Sequence, residues 1–87
     1  MCKRLIKIAM DDLRDVAMLA DYVKEVTGTE WEPFFMNRLK QRMRAFEEDK
    51  AWLRKAMADE KEHVGHHMEE YMEDEMERIK RKMGMKD

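Results

Sequence analysis

The residues best suited to chemistry are Glu60, His63, His67, Glu70 and Asp74, spaced by 3, 4, 3 and 4. On a helix these spacings place all five on one face. Glu60-x-x-His63 is the pattern by which helices of a bundle present a carboxylate and an imidazole to a di-iron centre. His63 and His67, one turn apart, can chelate Zn²⁺, Ni²⁺ or Cu²⁺ through neutral imidazole. One helix supplies too few ligands, so a site of Glu60, His63, His67 and Glu70 needs a second helix, such as the same stripe of another copy. Without a metal the same residues form a solvated flank of the helix.

Asp59-Glu60-Lys61-Glu62-His63 resembles the short acidic segment of the encapsulated-ferritin family, small two-helix proteins whose iron site forms between subunits. The resemblance covers five of the 87 residues. It implies Glu60 and His63 as iron ligands, with Glu30 upstream as the third. Glu30 falls in a corner between helices in this chain, and the second helix begins too early, so the chain is not assigned to the family. Iron or zinc is therefore the alternative cofactor to none at all.

Other constellations carry less chemistry. The chain has no serine, and Cys2 has no histidine near it in sequence, so no nucleophile–base pair is visible. The 11 methionines could suit Cu(I), but Met57, Met68, Met72, Met76 and Met83 fall at core spacings and read as an adaptable apolar face. Arg38, Lys40, Arg42 and Arg44 divide between two helix faces and lack any recognition motif, which leaves nucleic-acid binding a minor alternative. Glu69, Glu70, Glu73, Asp74 and Glu77 form an acidic ridge, with Glu75 beside them. Such a ridge either pairs with Arg78 and Arg81 one turn on or imitates a phosphate backbone toward a basic groove.

Helices must position these residues. Leu13, Val16, Ala20 and Val23 recur at helical spacing, and Met18, Leu19, Tyr22 and Val26 add a second apolar face. Asp12 and Asp15 suit a capping box, while residues 4–10 either extend the helix or form a short strand; a first helix over 4–26 is expected. Thr27-Gly28-Thr29 is a break, with Gly28 fit to end one helix, and Thr29 with Glu32 fit to start the next. Pro33 sits in that next first turn, where its missing N–H is harmless.

Beyond Pro33, Phe35, Phe46, Met57, Met68 and Ile79 recur every 11 residues, about 3.06 helical turns, so they share one slowly drifting stripe. The spacing predicts one long helix over 30–83, with a bend near 48–50 or 65. Such a helix spans roughly 81 Å and the first helix roughly 35 Å. Val64, Met68, Met72, Met76 and Ile79 would then form an uncovered interaction face. Either the chain folds back near 48–50 as a three-helix bundle, or a second copy covers the face. Trp31, Phe34, Trp52 and Ala56 widen the apolar surface, as two neighbours would require.

Composition bounds the class. Eighty-seven residues make one small domain, which buries only about 60% of its unfolded surface. The 18 basic and 20 acidic residues nearly cancel to −2, which excludes a polyanion-binding arm. A 44% apolar content excludes wholesale disorder, and 3 glycines with 1 proline exclude a turn-rich β fold. No apolar run nears the ~20 residues of a membrane span. The run at 5–10 contains Lys7 and meets Asp11-Asp12 where a secretory core should continue; with one cysteine, a cytoplasmic protein is expected. The sequence thus predicts an all-α hairpin or three-helix bundle completed by dimerisation. Its expected function is non-catalytic: a protein-interaction module, regulator or inhibitor. A ferroxidase-like metal assembly is the enzymatic alternative.

Overall fold

In the computed structural model, which describes residues 2–58 and 64–85, three α-helices form an antiparallel bundle: α1 (Cys2–Glu25), α2 (Glu32–Ala58) and α3 (Val64–Lys82). No strand occurs among the described residues. Residues 4–10 are helical, and the stripe Ala9, Leu13, Val16, Ala20 and Val23 is buried along α1. Because the helix starts well before it, Asp12 is no cap. It lies mid-helix, turned toward α2.

The α1–α2 corner follows its residues closely. Gly28 adopts φ 84°, the left-handed conformation that a side chain would oppose. Thr27 and Thr29 donate their hydroxyl protons to the Val23 and Val26 carbonyls at 2.7 and 2.6 Å, which occupies carbonyls at the end of α1. Thr29 Oγ1 accepts from the Trp31 N–H, and Glu32 reaches back to the N–H of Gly28. This is the expected capping box displaced by one residue. At the far end, Gly84 (φ 70°) and Met85 donate to the Arg81 and Lys80 carbonyls, a Schellman closure that turns Met85 back onto the core.

The expected continuous helix over 30–83 is two helices. Both positions proposed for a bend, 48–50 and Gly65, lie inside helices, and α3 runs antiparallel to α2. Ion pairs Lys50–Glu73 and Arg54–Glu69 set that register, and Lys82–Asp21 at 3.2 Å places the end of α3 beside the end of α1. The 11-residue stripe keeps its phase because both helices point it into the same core. Phase tells which side is inside, not whether the axis is straight.

All three helices contribute to one apolar cluster. Phe46, Leu39, Leu53, Met72 and Val16 are its largest fully buried side chains. Each such residue contributes about 1.5–3 kcal/mol by leaving water. None of the helices is long and apolar enough to cross a membrane.

Candidate protein-docking face

The proposed interaction face on α3 does not face outward. Met72, Met76 and Ile79 are buried against α1 and α2, and Met68 is half-buried on the same cluster. The side chain of Val64 lies outside those described. The expectation that this stripe must borrow a neighbour fails, since the chain's own reversal keeps it dry.

The acidic ridge divides in two. Glu69 and Glu73 are held at the α2–α3 seam by Arg54, and Lys50 also reaches Glu73 at 3.6 Å. The hydrogen bond and charge of Glu69 hold the Arg54 pKa above its ordinary value. Glu70, Asp74 and Glu77 point to solvent. Arg78 pairs with Glu75 three residues before it. Of the metal set, Glu60 and His63 lie outside the described residues, while His67 and Glu70 are exposed on α3. No cluster of three potential metal ligands occurs among the described residues. Glu30 is exposed in the corner before α2.

A different surface stands out. Among the described residues seven large apolar side chains are exposed, and six belong to α1, α2 and the corner between them: Ile8 (46%), Met18 (49%), Tyr22 (44%), Trp31 (57%), Phe34 (58%) and Trp52 (61%). Ile8, Asp15 and Tyr22 follow each other at sevens along α1, and Arg38, Ala45 and Trp52 do so along α2, with Trp31 seven residues earlier in the turn that leads into it. Seven residues are nearly two turns, so each set forms one stripe. On α2 this stripe is opposite Arg54, the residue that engages α3; two positions on a helix lie about 200° apart. α3 therefore covers one side of the α1–α2 pair and leaves this side open.

The open side is a groove. Asp15, Met18, Leu19, Tyr22, Arg38 and Arg42 line a cleft of about 350 Å³. At its corner end the Phe35 ring meets Tyr22 at 5.9 Å and Phe34 edge-on at 5.3 Å, so the aromatic anchors are stacked in place. Further along α2, Lys55 lies 5.3 Å from the Trp52 ring centre, a cation–π contact that steadies the indole.

Beneath the groove lies its electrostatic centre. Arg42 donates to Asp12 at 2.6 Å and to Asp15 at 2.9 Å. Asp12 is buried, and its Oδ2 finds no donor. Burial pushes its carboxyl up from 3.8 to about 6, aided by the hydrogen bond and charge of Asp49; Arg42 opposes the rise and Asp15 adds to it. A proton on Asp12 gives the orphaned oxygen a partner, because two carboxylates can share a bond only when one is protonated. Arg42 is thereby engaged in joining α2 to α1, which sets it apart from the rest of the basic segment.

Sequence reasoning came close to this face. Met18, Leu19 and Tyr22 stood out as a second apolar side, as did Trp31, Phe34 and Trp52. The heptad spacing of Trp31, Arg38, Ala45 and Trp52 was the signal missed. No family model, no curated protein and no solved structure matches this chain, so its function is argued from its own surfaces.

Proposed function

We propose that this protein is a non-catalytic helical protein-interaction module, a small regulator or inhibitor, acting through the open α1–α2 face. The observation that carries the reading is the gathering of six exposed large apolar side chains, both tryptophans among them, on the side away from α3. Taking ~150–250 Å² for a whole aromatic side chain, these six expose on the order of 600 Å². Tryptophan, tyrosine and phenylalanine are also the residues enriched at interface centres. The partner is a protein, of this chain or another, and the cytoplasmic setting belongs to the same proposal.

A photo-crosslinking residue at position 31, compared with one at position 77 on the outer side of α3, tests this in the producing cells. Discrete protein adducts from position 31, absent from position 77, support the docking face. Equal or absent crosslinking at both positions removes it.

A further inference from the structure

We propose that the occupant of this face is a second copy of the same chain, packed about a two-fold axis that crosses the groove near Gln41 and Arg42. The inference rests on reading the face as a docking surface and names its partner. A two-fold interface brings one patch against itself, so every feature must find its complement on the opposite side of the axis. Most exposed apolar faces fail that condition. This one meets it.

The stripe that starts in the corner and runs along α2 is evenly spaced in sequence. Trp31, in the turn just before α2, and Trp52 stand at equal sequence distances from its midpoint, as do Arg38 and Ala45. Reversal places the Trp31 end of one copy over the Trp52 end of the other, and sets each Arg38 stem over the small side chain of Ala45. The contacts of Arg42 with Asp12 and Asp15, and of Tyr22 with Phe35, fix the α1 register: Ile8 lies beside the Trp52 end, and Met18 and Tyr22 beside the Trp31 end. Both ends are therefore apolar, as the exchange demands.

The charges obey the same symmetry. In this register Asp11 on α1 lies level with positions 44–45 of α2, where reversal brings Arg38 of the other copy. Both residues are exposed, and neither has an ion-pair partner among the described residues. Two Asp11–Arg38 contacts then flank the axis. The net charge of −2 per chain does not resist association. The area is also sufficient: the six anchors expose on the order of 600 Å² per copy, against about 800 Å² per partner in a standard interface, and Leu19, Phe35 and the groove rim make up the difference. A lipid surface would favour a wholly basic rim, whereas Asp15 lies beside Arg38 and Arg42 in this one.

Sedimentation equilibrium of the full chain, with far-ultraviolet circular dichroism as a check on folding, provides the test. The expected species has twice the 10.6 kDa monomer mass. Both tryptophans of the chain lie on the face, so dilution should shift their emission to the red as the dimer dissociates. Trp52→Glu should weaken the dimer by about a hundredfold with helix content unchanged, since Trp52 is 61% exposed. Arg38→Glu should weaken it roughly tenfold, and adding Asp11→Arg to it should restore most of that loss. This rescue reads the symmetry even if Trp52→Glu impairs folding. A 10.6 kDa species persisting at about 100 μM overturns the proposal, as does a dimer indifferent to the Arg38 and Asp11 reversals. Should the monomer still give position-31 adducts with another protein in cells, the docking face stands and the second copy falls.

Discussion

Asp12 offers the sharpest measurement on the fold itself. Its carboxyl has a pKa of about 6 in the folded chain against 3.8 ordinarily. Below 3.8 the proton is bound in both states and the group adds no pH dependence. Between 3.8 and 6 the folded state holds a proton that the unfolded state has released, so stability falls as pH rises. Above 6 the loss is complete, and 2.2 pKa units at ~1.36 kcal/mol each make it about 3 kcal/mol. The attraction of Arg42 is already contained in that figure. Asp12→Asn fixes the neutral form: its amide can donate to Asp49 from the position of the orphaned Oδ2 while its oxygen still accepts from Arg42. Urea unfolding of both proteins across pH 3.5–7.5 should therefore give nearly equal stabilities at the acid end. At the neutral end the variant should be more stable by up to about 3 kcal/mol, a large share of the 5–15 kcal/mol of a typical domain. A difference that does not vary with pH, or a variant less stable at pH 7.5, would refute the assignment of this buried carboxyl.

Three further outcomes follow from the packing. Phe46→Ala should lower the unfolding free energy by about 3–5 kcal/mol, whereas Tyr71→Ala, at an exposed position of α3, should change it by less than about 0.5 kcal/mol in the same urea titration. Gly28→Ala meets no neighbouring atom, so its cost is conformational alone, and thermal unfolding should show about 1–2 kcal/mol for the left-handed backbone. Arg54→Ala removes two contacts of a mostly exposed guanidinium; it should cost at most about 1 kcal/mol, and that effect should shrink as salt is added.

Much of this architecture could be read from side-chain spacing, because burial imposes a period that survives in the residues themselves. Ala9 was overlooked, but Leu13, Val16, Ala20 and Val23 declared the inner side of α1, and Phe46, Met57 and Ile79 that of the other two helices. The α1–α2 corner was legible for a different reason: Gly28 and Thr29 act through local backbone chemistry that needs no distant partner. The reversal before α3 was not legible, since a stripe in constant phase suits one long helix or two that share a core. Asp12 was misread as a cap for the same kind of reason. Its role depends on Arg42 and Asp49, some thirty residues away or more, and no short pattern encodes that meeting. The docking face was visible in pieces, but its pieces joined only when α3 was seen to occupy the other side.

The seating of α3 carries a consequence of its own. Apart from Ile79, the apolar side chains by which it grips the rest of the molecule are Met68, Met72, Met76, Met83 and Met85. Thioethers adapt well to an irregular seat, yet the half-buried Met68, Met83 and Met85 are open to oxidation, and a sulfoxide is polar. The α1–α2 hairpin is held chiefly by Val16, Leu39, Phe46 and Leu53, with Met10, Met36, Met43 and Met57 in support. Mild oxidant should therefore loosen the third helix before the first two, whose contact keeps Val16, Leu39, Phe46 and Leu53, and a methionine sulfoxide reductase should let it dock again.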